Sequence, residues 1–268
     1  MIEYSIVTTV YNDELFVESF LDNILRQSYL PSEIVICDGG SQDGTIDVIE
    51  HYKEKSVVPI ILISGSRLNI AQGFNEAIKH SNYDLIGIVA TGNVYEDDFF
   101  EKLICGMNET NSDVEYSPIR GLNQNSFSQK YNNTLVGGND GIVVPMASNH
   151  GSLIKKRVVE DVGYFYEGYH YAGEDSEFYI RVLQHGYTMN CKKDAILYWK
   201  TPCSLKEYFK QIKVYSISTL QGYSNLYLFR TWIESVYPFL LLVIIWVISK
   251  ILFAIVFSLV IVLFVFKA

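Results

Sequence analysis

The stretch VICDGGSQDGT, residues 35–45, is an apolar run that stops at a turn of Asp and Gly residues, as a buried strand does. Apolar runs of the same kind recur at 4–10, 60–64 and 85–89. Helical spacing of apolar residues separates these strands, at 14–26, 45–52 and 71–80. This alternation with short connections predicts a Rossmann-like α/β domain, built on a mainly parallel sheet with helices on both faces.

The second half of the chain changes character. Residues 106–150 are rich in Asn, Gly and Ser, which predicts loops and short strands. Helical spacing returns at 174–185, and a strand-like run follows at 195–199. We therefore assign the α/β domain to residues 1–203, an amphipathic membrane-proximal helical linker to 204–236, and a transmembrane segment to 237–267.

The tail from Pro238 to Phe266 is apolar except for Ser249, Lys250 and Ser258. As a helix it would be about 43 Å long, against a bilayer core of about 30 Å. One tilted span, or one span with an interfacial piece, fits this length, and a buried core helix is the alternative.

Composition and charge exclude some functions. The net charge of −9 argues against a nucleic-acid surface. The four cysteines form no C-x-x-C pair, which argues against zinc and favours a reducing compartment. The N-terminus begins with a strand-like apolar run and shows no signal-peptide pattern. Basic residues lie mainly before the apolar tail, so the positive-inside rule predicts a domain on the cytoplasmic side of the cell membrane.

Two places in the predicted fold carry candidate chemistry. Ligands of a parallel sheet bind beyond the carboxyl ends of its strands, where Asp38 and Gly40 offer a carboxylate and a backbone without a Cβ. Glu174 and Asp175 begin a helix, and one of them is a candidate general base. A plain turn and a simple helix cap are the respective alternatives. Two further candidates are His150, and Arg181 on the helix of Glu174.

Together these segments resemble family 2 glycosyltransferases over roughly residues 2–216, most closely the succinoglycan-biosynthesis type. The order and spacing of the segments carry the resemblance, since each is weak alone. They are SIVTTVYNDE (5–14), VICDGGSQDGT (35–45), NIAQGFNEAIKHSNYDLIGIV (69–89), HGSLIKKRVVEDVGYF (150–165) and AGEDSEFYIRVLQHGY (172–187).

The resemblance implies a GT-A fold that binds a nucleotide-sugar donor, UDP- or GDP-linked. Asp175 would deprotonate the acceptor hydroxyl, with Glu174 beside it, in a single inverting displacement. His150 and Arg181 would lie on the acceptor side or near the diphosphate. The residues implied to border the donor are Thr9, Tyr11, Asp38, Gly40, Asn75 and Asn93.

The chain departs from the family at the D-x-D motif, which holds Mg²⁺ or Mn²⁺. The motif should fall at Ala90-Thr91-Gly92, where no carboxylate is present. Hard cations need oxygen ligands that usually include carboxylates. Three alternatives stay open: Asn93 supplies one neutral oxygen to a metal, the chain works without metal, or it is inactive.

A second departure concerns processivity. The Q-x-x-R-W of processive members has Val214 and Tyr215 in place of Arg and Trp. We therefore predict transfer of one sugar to a lipid-linked, glycan or membrane-proximal acceptor, in polysaccharide or glycoconjugate synthesis. Direct transfer to a polyprenyl phosphate is a weaker option. The alternative from another class is a non-catalytic membrane subunit that binds a sugar nucleotide or a partner enzyme.

Overall fold

Strands and helices alternate through the first 90 residues, as the sequence predicts. The computed structural model describes residues 2–122, 146–169 and 173–200, with isolated positions up to 249. The first elements are β1 (Ser5–Val10), α1 (Glu14–Leu25), β2 (Glu33–Asp38), α2 (Thr45–Lys55), β3 (Ile60–Ser64), α3 (Ile70–His80) and β4 (Leu85–Val89). Their bounds lie within three residues of the predicted ones.

The later elements correct one prediction. They are β5 (Asn93–Tyr95), α4 (Phe99–Thr110), β6 (Val114–Tyr116), β7 (Ile119–Gly121), β8 (Gly151–Lys155), α5 (Lys156–Val162), α6 (Glu174–Gln184), β9 (Met189–Cys191) and β10 (Leu197–Trp199). Residues 106–110, predicted to be loop, are the last turn of α4. That helix forms because Phe100, Leu103 and Met107 recur at helical spacing and bury one face.

The main sheet is mixed rather than wholly parallel. Its seven described strands run in the order β3-β2-β1-β4-β8-β6-β9. β8 is antiparallel to both of its neighbours, β4 and β6, and the other pairs are parallel. A small second sheet joins β5, β10 and β7.

Helices cover both faces of the main sheet. One core cluster contains Phe20 of α1, Ile49 of α2 and Leu103 of α4. The other contains Phe74 of α3, with residues of α5 and α6 such as Val158 and Phe178. Both clusters also take side chains from β1 and β2, so the central strands are buried on both sides.

Helix α3 lies directly on β1. A Cβ at Gly73 would come within 2.0 Å of the Oγ1 of Thr9, so glycine permits this close contact. The Oγ1 of Thr9 in turn donates to the carbonyl of Cys37 at 3.0 Å. Helix α3 and the ends of β1 and β2 therefore form one packed unit.

The chain divides into two compact units, Met1–Ser218 and Thr219–Ala268. All of the elements named above belong to the first. Within the described part of the chain, no helix has the length and apolar character that a membrane span requires. The predicted transmembrane segment 237–267 and the linker 204–236 lie outside the described residues, apart from isolated positions.

Candidate active site

The carboxyl ends of β1 and β2 meet at one edge of the sheet. Thr9 pairs with Cys37 and Val10 with Asp38 in register, so the predicted donor residues of the two strands lie side by side. The backbone N–H of Gly39 donates to the carbonyl of Val10 at 2.8 Å. Tyr11, just beyond β1, is 60% exposed and so presents its ring at this edge.

Asp38 organises the turn after β2. Its carboxylate is buried and accepts the backbone N–H groups of Gly40 at 2.9 Å and Ser41 at 3.0 Å. Gly40 has φ +100°, a left-handed conformation that favours glycine. Asp38 therefore holds the shape of the turn, as the plain-turn alternative predicts, while it stays at the edge where the donor was predicted to bind.

The end of β4 is tied to the turn after β1. The hydroxyl of Thr91 donates to the carboxylate of Asp13. Burial raises the pKa of Asp13, and the charge of Asp43 adds to the increase, while the bond from Thr91 opposes it. The Ala90–Gly92 segment has no carboxylate of its own, so the Asp13 carboxylate of the turn after β1 accepts its hydrogen bond.

Asn93 and His150 are held together beside the end of β4. Val89 pairs with Gly151, so His150 lies just past the carboxyl end of β4. The Nδ2 of Asn93 donates to the His150 carbonyl at 3.1 Å, and its amide also faces the His150 Nδ1 at 3.2 to 3.3 Å. Tyr95 donates its hydroxyl to the same carbonyl at 2.7 Å. The loop before β8 is therefore fixed to β5.

The His150 ring is partly buried. It packs against Trp199 with ring centroids 5.4 Å apart. Burial lowers the pKa of His150, and the nearby charge of Asp175 partly opposes this. The His150 imidazole is therefore neutral near pH 7.

The residues at the D-x-D position do not fit a metal site. Asn93 is 4% exposed, and its amide is committed to His150 and Tyr95. No group of three or more acidic, His or Cys side chains converges within the described parts of the chain. The prediction that Asn93 is a metal ligand therefore finds no support in the bonding of its amide.

Glu174 and Asp175 begin helix α6, directly after Gly173, which has φ +97°. Asp175 accepts the Ser176 N–H at 2.7 Å through Oδ1, and Oδ2 has no hydrogen bond to the rest of the described chain. Glu174 is 7% exposed and accepts from the Nδ2 of Asn149 at 3.2 Å. Burial, together with the Asp175 charge, raises the pKa of Glu174 to about 7.

The structure engages Asn75 and Arg181 in hydrogen bonds within the domain. The amide of Asn75 donates to the Phe165 carbonyl and accepts its N–H, each at 2.9 Å, and it also donates to Glu167. Arg181 pairs with Glu177 and donates to the carbonyls of Val162 and Tyr164. Both residues therefore hold the segment between α5 and α6.

The structure adds three residues that sequence reasoning missed. Asn149 contacts Glu174, Tyr95 holds the His150 loop, and Asp13 binds Thr91. Asp13 follows a strand end, which is a detectable signal. Asn149 precedes His150 in a polar loop, and no sequence pattern distinguishes it from neighbouring Asn residues.

Solved structures share this fold at low sequence identity. A mannosyltransferase from Pyrobaculum calidifontis, solved with GDP-Man and Mn²⁺, aligns with TM-score 0.65 and 18% identity, over 82% of this chain and 62% of that one. S. aureus TarS aligns with TM-score 0.58 and 18% identity, over 84% of this chain but only 41% of its own. The chain therefore has a GT-A type fold.

Sequence comparison identifies the family as well as the fold. A Methanococcus voltae enzyme is 22% identical over 246 residues, which cover 83% of this chain and 75% of the relative; its name is dolichyl N-acetyl-alpha-D-glucosaminyl phosphate 3-beta-D-2,3-diacetamido-2,3-dideoxy-beta-D-glucuronosyltransferase. The poly(ribitol-phosphate) beta-N-acetylglucosaminyltransferase TarS is 21% identical over 131 residues, and the matched part is only 23% of its length. The family described as Glycosyl transferase family 2 matches residues 5–163, more than half of the 268 residues. The chain belongs to glycosyl transferase family 2 and is a glycosyltransferase.

Proposed function

We propose that the chain is an inverting glycosyltransferase that moves one sugar from a UDP- or GDP-linked donor to a lipid-linked or membrane-proximal acceptor. The observation that carries the proposal is the placement of Asp175. Asp175 is the second residue of α6, and its charge acts on His150, which lies just past the carboxyl end of β4.

The reaction follows from the available oxygen of Asp175. The Oδ1 atom is engaged by Ser176, which fixes the carboxylate and leaves Oδ2 for an incoming hydroxyl. As the hydroxyl oxygen forms a bond to the anomeric carbon, its proton passes to Asp175. The bond from that carbon to the diphosphate breaks on the opposite face, and the nucleoside diphosphate leaves with the electron pair. A carboxylate base of this kind contributes about 10²–10⁴-fold to the rate.

The donor would bind along the edge formed by the turns after β1 and β2. Tyr11 offers an exposed ring there, and the Asp38 turn offers backbone groups held in place by the carboxylate. Structures of related fold were solved with GDP-Man and with UDP-GlcNAc, which supports a nucleotide-sugar donor. The name of the Methanococcus relative includes a dolichyl-linked phosphate sugar, which supports a lipid-linked acceptor.

Membrane attachment is part of the proposal. It rests on the apolar run 237–267 and on the basic residues that precede it, including Lys206, Lys210 and Lys213. A cytoplasmic catalytic domain attached in this way would meet a lipid-linked acceptor at the membrane surface.

A donor screen tests the proposal. Full-length protein in detergent, mixed with lipid extract, should release UDP or GDP from one sugar nucleotide well above the release without lipid. If no donor in a broad panel is turned over while one of them binds in calorimetry, the proposal fails.

That failure would favour the second candidate function, a sugar-nucleotide-binding subunit without catalysis. The observation in its favour is the sequence Ala90-Thr91-Gly92, which replaces the acidic motif, together with the committed amide of Asn93. Calorimetry with and without Mn²⁺ separates the two candidates when it is paired with the turnover measurement.

A further inference from the structure

Glu174 is a buried carboxyl group with a neutral partner. It is 7% exposed, and its side-chain hydrogen bond within the described chain comes from Asn149, which is also 7% exposed. No Lys or Arg of the described residues forms an ion pair with it. A buried carboxylate anion is costly without a cation or several donors, so this environment favours the neutral acid.

The charged group that faces Glu174 has the wrong sign for an anion. Asp175 follows it on the same helix, and the loop before β8 contributes the neutral Asn149. The start of α6 and the backbone N–H of Glu174 favour the anion. Burial and the adjacent charge outweigh them, since together they raise the pKa of Glu174 to about 7.

Asn149 suits either form of this carboxyl group. Its Oδ1 is buried and has no hydrogen-bond partner among the described residues, so Glu174 alone decides which way the amide points. The Nδ2 can donate to a carboxylate, and after rotation of the amide the Oδ1 can accept from a carboxylic acid. Glu174 therefore keeps a partner while it holds its proton.

We propose that Glu174 is the neutral member of the Glu174–Asp175 pair, held as an acid by its burial beside Asp175 while Asn149 supplies its hydrogen-bond partner, so that Glu174 adds no negative charge to the site. The functional part of this inference rests on the proposed transferase activity. A donor diphosphate brings further negative charge into the same cleft, and a neutral Glu174 limits the repulsion that the donor meets. Glu174 is then a positioning residue, and it takes no proton from the acceptor.

Infrared titration of the full-length protein tests the protonation state without any need for turnover. The protonated-carboxyl band of the wild type at about pH 5 should exceed that of Glu174→Gln by one group, and the difference should vanish at about pH 9. Subtraction removes the other buried acids, Asp13 and Glu115, whose pKa values burial also raises. Equal bands in the two proteins at the lower pH would overturn the proposal.

Activity gives the second readout. Glu174→Gln should lose the rise in donor KM that the wild type shows above about pH 7. Glu160→Gln, at an exposed position of α5, is the matched control and should keep that rise. A folded Glu174→Gln protein that keeps the rise in donor KM above about pH 7 would contradict the proposal.

Asn149→Leu covers the case in which Glu174→Gln does not fold. Removal of the amide donor disfavours the anion, so the infrared titration midpoint of Glu174 should move upward by about one pH unit. A midpoint that stays or falls would count against the pairing with Asn149. If every protein lacks turnover, the activity arm and the proposed function fail together, while the titration still decides the state of Glu174.

Discussion

Glu174 makes the stability of the domain depend on pH. Burial and the Asp175 charge raise its pKa from 4.5 to about 7 in the folded chain. Between these values the folded chain holds a proton that the unfolded chain releases. The contribution of Glu174 to stability is therefore complete below about pH 4.5 and is lost as the pH rises through about 7, by about 3 kcal/mol.

The corresponding experiment compares unfolding of the wild type and Glu174→Gln across this pH window. Their difference in free energy of unfolding should shift by about 3 kcal/mol in favour of the Gln variant as the pH rises from about 4.5 to about 7. Denaturant titration at several pH values measures it. A constant difference would mean that Glu174 ionises as freely in the folded chain as in the unfolded one.

Metal dependence is a second prediction at the scale of single residues. Because Ala90-Thr91-Gly92 offers no carboxylate and the Asn93 amide is bound to His150, we expect a chelator to change turnover less than about twofold. Turnover is measured after EDTA treatment and again after addition of excess Mn²⁺. Activity that is lost with EDTA and restored by Mn²⁺ would show that other groups hold a cation.

At the scale of elements, Asn75 links α3 to the segment between α5 and α6. Its amide satisfies both the N–H and the carbonyl of Phe165. Asn75→Ala would leave these buried groups unpaired and should lower the free energy of unfolding by about 2 kcal/mol. The donor KM of the folded protein should change less than about threefold.

The same variant separates the structural assignment from the donor role predicted from sequence. A large rise in donor KM with unchanged stability would restore Asn75 to the donor site. Parallel measurement of thermal unfolding and of nucleoside diphosphate release distinguishes the two results.

Elements with strong periodicity were predictable, and contacts between distant segments were not. β1 to β4 follow from apolar runs ended by turn residues, because buried parallel strands need that pattern. The antiparallel direction of β8 could not be predicted, since it is set by pairing with β4 and β6 rather than by the residues of β8 itself. The order of motifs also identified the family, which the match over residues 5–163 confirms.

The candidate site was predictable to a similar extent. Strand ends and a helix start pointed to Asp38 and Asp175, because ligands and charges favour such places. The hydrogen bond between Asn149 and Glu174 joins residues 25 positions apart. Nothing in the sequence distinguishes Asn149 from the other polar residues of its loop, so this contact could not be predicted. Burial of a carboxyl group, and hence its protonation, is a property of that tertiary contact.

At the scale of the whole molecule, attachment to the membrane stays a prediction from sequence. The apolar run 237–267 should carry the full chain into the membrane fraction, and a chain ended at residue 203 should remain in the supernatant. Flotation with lipid vesicles measures both. Full-length protein that stays in the supernatant without detergent would remove the proposed anchor.

The measurement that most directly tests the account is nucleoside diphosphate release by Asp175→Asn, made beside calorimetric binding of the same donor. We predict that the variant binds donor within about threefold of the wild type and turns it over about 10²–10⁴-fold more slowly. Asp47→Asn, at an exposed position of α2, should match the wild type in both measurements. Undiminished release by Asp175→Asn would contradict the assignment of Asp175 as the base.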